Sequence, residues 1–135
     1  MITKAALLAT ILLSSAAQAN CWLINNLHGR ASMSGDNYDF IEDGATGSVF
    51  KLTIDGKNAS VIEINSGYKS DMSYAPMSNN TIVGMYEAGG GITVETWSIT
   101  TDKKVLYSKV MNTPGIQMMT STKSFVGDVI GNCKI

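Results

Sequence analysis

The stretch from residue 81 to residue 111 constrains the possible folds of this chain most strongly. Its sequence, TIVGMYEAGGGITVETWSITTDKKVLYSKVM, is dense in β-branched and aromatic residues, which favour strands. Two groups of turn-forming residues interrupt it, the glycines at 89–91 and the polar segment at 101–104. Strand-forming runs separated by short turns are typical of a meander, in which each antiparallel strand follows its neighbour. The sequence therefore predicts three consecutive antiparallel strands here.

Alternation of apolar and polar side chains predicts a β-hairpin before this meander. Over residues 49–55, Phe50, Leu52 and Ile54 alternate with polar residues, so they are expected to share one face of a strand. The sequence DGKN then favours a tight turn. On the returning strand, Ile62 is expected to point toward the same interior.

Further short strands are expected on either side of these elements. Residues 27–33 and 71–74 fit strands, and residues 125–131 contain two glycines and several β-branched residues that favour a final strand over a helix. The total is about eight short strands with regularly spaced turns. The sequence therefore predicts an all-β domain, a small antiparallel meander barrel, with a β-sandwich as the alternative.

The alternation changes phase inside the central meander. Ile92 and Val94 share one parity, whereas Trp97 and Ile99 share the other. One extra residue near Glu95 would return all four apolar side chains to a single face. We therefore predict a β-bulge there, of the kind that helps a sheet to curl.

The N-terminal segment has the organisation of a secretory signal peptide. Lys4 precedes an apolar run, and small residues follow it up to an A-x-A cleavage sequence that ends at Ala19. The apolar run is shorter than the roughly 20 residues that a membrane-spanning helix needs. We therefore expect residues 1–19 to be a signal peptide of bacterial type and residues 20–135 to form a single β domain. The mature chain is expected to be periplasmic or secreted.

The two cysteines lie at opposite ends of this predicted domain. Cys21 follows Asn20, whereas a lipid-modified cysteine needs a small residue directly before it, so a lipid anchor is not expected. In an oxidising compartment, two cysteines pair most simply with each other. A bridge between Cys21 and Cys133 would bring the first and last strands together, as they are when a meander closes into a barrel.

Composition and charge argue against several classes of function. The formal net charge is -1 and no basic stripe occurs, so no nucleic-acid partner is expected. His28 is the only histidine, it falls on the polar face of its strand, and both cysteines are assigned to the disulfide. We therefore expect no catalytic residue, no cofactor and no enzymatic activity. No transmembrane span is expected in the mature chain.

An acidic, turn-rich segment and a glycine-rich hairpin tip are candidate interaction loops. Their residues are Asp36, Asp39, Glu42, Asp43 and Gly90. Acidic side chains near glycines are suitable material for a calcium site, but their spacing does not match an EF-hand loop. We expect a solvated loop and no metal site.

Two classes of function remain. The first is an exported, non-catalytic binding protein that holds a small apolar ligand inside the barrel. The residues expected to line its cavity are Ile54, Ile62, Met85, Val94 and Trp97. The alternative is a protein-interaction module that contacts another exported protein through its loops, such as a periplasmic inhibitor or an envelope accessory factor.

Overall fold

The computed structural model describes residues 19–116 and 120–135, which form strands and one short 3₁₀ turn at Ser34–Asp36. The predicted signal peptide lies outside the described residues except for its last residue, Ala19. The strands are β1 (Ala19–Met33), β2 (Phe40–Ala45), β3 (Phe50–Asp55), β4 (Asn58–Glu63), β5 (Tyr68–Lys69), β6 (Ser73–Pro76), β7 (Thr81–Ala88), β8 (Gly91–Ile99), β9 (Lys104–Asn112) and β10 (Ser121–Asn132). Within these two ranges, no helix is long and apolar enough to cross a membrane.

All ten strands belong to one antiparallel sheet. Hydrogen-bonded neighbours follow the order β5-β4-β3-β1-β10-β9-β8-β7-β6, and β2 pairs with the second half of β1. The sheet curls into a half-barrel, and Cα atoms of β4 and β6 come within 8 Å of each other across its opening. The predicted all-β antiparallel class is confirmed. The two short strands β2 and β5 are additions to the predicted set of about eight.

Strand β1 connects two arms of the sheet, one formed by β3, β4 and β5 and the other by β10, β9, β8, β7 and β6. Its first half pairs with β3, its second half pairs with β2, and β10 runs along its other edge. The pairing with β10 shifts register twice between Leu23 and His28, and Asn26 adopts a left-handed backbone there with a φ of 56°. Such irregularities bend a strand and increase its twist, so they help the sheet to curl at this point.

The predicted bulge in β8 is wrong. Strand β8 pairs without interruption with β7 on one side and with β9 on the other. Its odd-numbered residues, including Glu95 and Trp97, are buried on the concave face, whereas Ile92 and Val94 are exposed on the outer face. The strand therefore alternates regularly, and the two apolar residues that suggested a phase change lie outside.

The predicted hairpin is confirmed as β3 and β4, but the predicted orientation of β4 is wrong. Leu52 lies opposite Val61, and Lys51 lies opposite Ile62. Residues directly opposite each other share a face of the sheet. Val61 is therefore buried with Leu52, and Ile62 lies on the outer face beside Lys51.

The predicted meander is confirmed as β7, β8 and β9. The turn between β7 and β8 contains Gly89 and Gly90, whose φ values of 58° and 79° suit glycine. The last segment forms the long strand β10, which confirms the strand over the helical alternative.

Apolar side chains from both arms of the sheet fill much of the interior. The largest fully buried ones are Ile24, Leu52, Ile82 and Val105. They come from β1, β3, β7 and β9, so the core joins strands that are distant in the sheet order.

The predicted disulfide is confirmed and joins the two ends of the domain. Cys21 and Cys133 are bonded, with their Cα atoms 4.9 Å apart. The backbone N–H of Cys133 also donates to the carbonyl oxygen of Cys21 at 2.9 Å. The bridge therefore reinforces the pairing between the first and last strands.

Candidate binding site on the concave face

Four aromatic side chains form a row across the concave face. Trp97, Tyr107 and Phe125 occupy facing positions on the neighbouring strands β8, β9 and β10, with successive ring centroids 4.7 Å and 5.4 Å apart. Phe50 from the other arm of the sheet packs on Trp97 at a centroid distance of 5.4 Å. Aromatic pairs at these separations attract each other beyond simple area burial. This aromatic row therefore ties the two arms together through the interior.

A carboxylate lies within the aromatic row. Glu95 precedes Trp97 by two residues on the same face of β8, and only 6% of it is exposed. Its Oε1 accepts hydrogen bonds from Tyr74 Oη at 2.6 Å and Trp97 Nε1 at 2.5 Å, and its Oε2 accepts one from Tyr107 Oη at 3.0 Å. Burying a carboxylate is costly, but charge-assisted hydrogen bonds offset that cost. Glu95 is thereby hydrogen-bonded to side chains from three strands, β6, β8 and β9.

Tyr74 reaches this carboxylate across a glycine. Gly84 on β7 lies opposite both Tyr74 on β6 and Glu95 on β8. A Cβ atom at Gly84 would lie 2.5 Å from Cε1 of the tyrosine ring, which is closer than van der Waals contact allows. The missing side chain therefore lets Tyr74 lie across β7 and donate to a residue two strands away.

The two tyrosines that donate to Glu95 are held in their protonated form. Burial raises the pKa of Tyr74 and of Tyr107 well above the usual range, and the adjacent negative charge of Glu95 raises both further. Both hydroxyls are therefore donors at neutral pH, as the hydrogen bonds to Glu95 require.

An alkaline titration tests this arrangement. Because the pKa of each tyrosine is higher in the folded protein than in the unfolded chain, their contribution to stability is complete below about pH 10 and declines above it. We expect Tyr74 and Tyr107 to ionise only as the protein unfolds, so that part of the tyrosinate absorbance rises together with the loss of far-ultraviolet circular dichroism. That part should vanish when both tyrosines are replaced by phenylalanine. An unchanged absorbance step in the double variant would contradict the assignment.

Lys109 brings a positive charge to the same face. It lies opposite Glu95 on β9, and its side chain is 26% exposed. Its Nζ is 4.0 Å from Oε2 of Glu95, which is beyond hydrogen-bond distance. Across the two described ranges, no protein group accepts a hydrogen bond from this ammonium. The carboxylate of Glu95 is therefore bound by the two tyrosines and the tryptophan, and the N–H groups of the Lys109 ammonium remain available to a ligand.

A cavity of about 240 Å³ opens beside Glu95. Most of its wall is apolar or aromatic, from Leu27, Phe50, Val61, Met72, Trp97 and Phe125. Polar atoms enter the wall from Tyr74, Glu95, Tyr107 and Lys109. An apolar cavity of about 150 Å³ can hold benzene, so the observed volume suits a compound with one or two rings.

A second hollow of about 250 Å³ continues from this cavity. Tyr68, Ser70, Met72 and Lys109 line both spaces, so they mark the junction between them. The far wall of the second hollow contains residues from β7, β8 and β9, including Tyr86, Thr93 and Met111. Lys109 therefore faces the point where the two spaces meet.

Of the residues predicted to line a ligand cavity, Trp97 lies in its wall. Ile54 belongs to the buried core of the same face. Ile62 lies on the outer face, and Met85 and Val94 face each other there, 51% and 37% exposed. The predicted inward orientation of these three residues is wrong, because their cross-strand partners place them on the convex side.

The predicted interaction loops lie at the surface. Asp36, Asp39 and Glu42 are exposed, and Gly90 lies at the exposed tip between β7 and β8. Asp43 forms an ion pair with Lys123 at 2.9 Å, and this hydrogen bond lowers the pKa of its carboxyl group. In the described part of the chain, no group of three acidic, histidine or cysteine side chains is placed to hold a metal ion.

The residues that form the polar centre of the site were not predicted. They are Tyr74, Glu95, Tyr107 and Lys109. A usable signal lay in the sequence VETWSI, because a regular strand that points Trp97 and Ile99 inward also points Glu95 inward. Taken without a bulge, this parity marks Glu95 as a buried carboxylate that needs partners.

Comparison with known proteins assigns no family to this arrangement. The chain matches no protein-family model, no curated protein sequence and no solved structure. Its function is therefore argued from the chemistry of the concave face.

Proposed function

We propose that the chain is an exported, non-catalytic binding protein that holds a small, mainly apolar ligand in the cavity beside Glu95. The observation that carries this proposal is an accessible, aromatic-lined cavity built around a carboxylate that already has its hydrogen-bond partners. Concave apolar surfaces with a few fixed polar groups are the usual form of small-molecule sites. These hydrogen bonds orient the polar groups before a ligand arrives, and such preorganisation lowers the entropic cost of binding.

The hydrogen bonds to Glu95 favour binding over catalysis. A general base needs a lone pair that can reach a proton on the substrate. Three of the roughly four acceptor positions on the oxygens of Glu95 are instead taken by hydrogen bonds from side chains of the protein. We therefore assign Glu95 to holding Tyr74, Trp97 and Tyr107 in place around the cavity.

The disulfide supports the proposed exported location. Bridges of this type form and persist in oxidising compartments such as the bacterial periplasm and the extracellular space. The composition of residues 1–19 predicts the matching export signal. The ligand is therefore expected to be encountered outside the cytoplasm.

A pair of matched variants tests the cavity. Ala45 lines it, whereas Ala75 is exposed on β6. Single-ring probes such as p-cresol and phenylacetamide are expected to change Trp97 fluorescence saturably, with a Kd below about 1 mM. Trp22→Phe leaves Trp97 as the only tryptophan for this measurement.

Ala45→Phe should fill the cavity and weaken binding at least about tenfold, a change of about 1.4 kcal/mol. Ala75→Phe adds the same ring outside the cavity and should leave the Kd unchanged. The proposal fails if the wild-type protein gives no saturable change, or if the two variants behave alike.

A second candidate function, a protein-interaction module, is favoured by the outer face of the meander. Met85, Val94 and Val110 lie directly opposite one another on β7, β8 and β9, and they are 51%, 37% and 53% exposed. Adjacent exposed apolar side chains are characteristic of contact surfaces. In this alternative, the partner is another exported protein such as an inhibited enzyme or an envelope component.

A further inference from the structure

We infer that the ligand of the concave cavity carries an anionic group, bound by Lys109, on an aromatic or aliphatic body that rests against the aromatic row. This inference rests on the proposed function, because it names the chemistry of the same site. The combination corresponds to a small organic acid with one or two rings or an equivalent branched chain.

The position of Lys109 is the first argument. The residue lies on the concave side of β9, opposite Glu95, and its side chain lines both the cavity and the adjoining hollow. It is 26% exposed, so the ammonium is partly desolvated yet reachable from solvent. A ligand body in the cavity would therefore bring a short polar head group to this ammonium.

The charges around Lys109 give the second argument. Glu95 accepts hydrogen bonds from three neutral donors and lies 4.0 Å from the ammonium. Glu63, the other carboxylate of the cavity wall, accepts hydrogen bonds from the backbone N–H groups of Asn65 and Ser66. Both acidic groups of the cavity wall are therefore engaged elsewhere. The adjoining hollow adds one exposed carboxylate, Asp71, and among the described wall residues of the two spaces Lys109 is the one cation.

The hydrogen bonds that Glu95 already accepts also favour an anionic ligand over a cationic one. Inside the cavity, an organic cation would need an available carboxylate, but the oxygens of Glu95 already accept hydrogen bonds from Tyr74, Trp97 and Tyr107. Asp71 lies in the wall of the adjoining hollow and not in that of the cavity. A cation in the cavity would also approach the ammonium of Lys109, which repels it. An anion instead gains charge-assisted hydrogen bonds of about 2.8 Å from donors that the protein leaves free.

Three probes with the same ring separate these possibilities. Phenylacetate, phenylacetamide and phenethylammonium differ mainly in the charge of the head group. We expect phenylacetate to bind about tenfold more tightly than the amide, and the ammonium compound to bind most weakly. Trp97 fluorescence in the Trp22→Phe background and titration calorimetry both report the three dissociation constants.

Variants at one position assign this preference to Lys109. Lys109→Gln should abolish the preference for phenylacetate over phenylacetamide, and Lys109→Arg should retain that preference. Lys51→Gln makes the same charge change on the outer face of β3, opposite Ile62, and should leave all three affinities unchanged. A lysine that only balanced the charge of Glu95 would not produce this selective effect.

The possible outcomes separate this inference from the proposed function. The role of Lys109 is overturned if phenylacetate and phenylacetamide bind equally well, or if Lys51→Gln changes the affinities as much as Lys109→Gln does. Either result still leaves a ligand-binding cavity. Tightest binding of phenethylammonium overturns the role of Lys109 in favour of a cation site. If none of the three probes binds, the inference and the proposed cavity function both fail.

Discussion

Replacing Cys21 and Cys133 together by alanine is expected to lower the free energy of unfolding by about 4–5 kcal/mol. The bridge spans 112 residues of sequence and therefore removes much of the conformational freedom of the unfolded chain. Urea unfolding followed by circular dichroism measures the change. The backbone pairing of β1 with β10 does not depend on the sulfur atoms, so the folded variant should keep this pairing and its affinity for ring compounds.

Reduction of the wild-type protein provides the control for this prediction. Adding a reductant should destabilise the wild-type protein by the same amount and leave the alanine variant unaffected. A loss of less than about 1 kcal/mol would mean that the unfolded chain is already compact around its ends, contrary to the loop-closure argument.

Glu95→Ala is expected to lower the free energy of unfolding by about 3–5 kcal/mol. The substitution leaves three donors without their acceptor: the half-buried hydroxyl of Tyr74, the buried hydroxyl of Tyr107 and the indole N–H of Trp97. Each unsatisfied buried donor costs about 1–3 kcal/mol, reduced where water can enter from the cavity. Glu87→Ala on the exposed end of β7 is the matched control, and its effect should stay within about 0.5 kcal/mol.

A double-mutant cycle shows whether this loss comes from the hydrogen bonds. In a background where Tyr74 and Tyr107 are both phenylalanine, Glu95→Ala should lower the free energy of unfolding by less, because two of the three donors that lose their acceptor are absent. A coupling of at least about 1 kcal/mol is expected for groups in direct contact. Strictly additive effects would show that the carboxylate does not hold the tyrosines.

The parts of this fold that the sequence predicts correctly are those specified locally. The hairpin of β3 and β4 is encoded by alternation over a few residues and by a glycine turn, and the same signals mark the meander. The pairing of Cys21 with Cys133 follows from their number and position, because no other cysteine competes. These inferences need no knowledge of distant contacts.

The centre of the site was missed because its stabilising contacts come from distant parts of the chain. The predicted bulge near Glu95, which would bring Ile92 and Val94 to the same face as Trp97, hides the regular alternation that points Glu95 inward. Its burial depends on donors 21 residues before it and 12 residues after it, and on a glycine that gives one of them access. None of these contacts leaves a periodic pattern in the sequence.

The orientation of β4 was missed for a related reason. Val61 and Ile62 are both apolar and adjacent, so alternation alone permits either to face inward. The register set by the turn decides between them, because it places Val61 opposite Leu52. The half-buried Ile62 then lies with other apolar residues on the outer face, and apolar side chains are common on protein surfaces.

Native mass spectrometry of the protein, purified gently from cells that export it, shows whether the concave cavity carries a ligand. We expect a chain that begins at Asn20, is lighter by the pair of hydrogens lost in the disulfide, and carries one small non-covalent compound. The added mass should be absent from Ala45→Phe and present in Ala75→Phe. A bare protein, or one that travels with another polypeptide instead of a small molecule, would contradict the claim that the concave cavity is a ligand site.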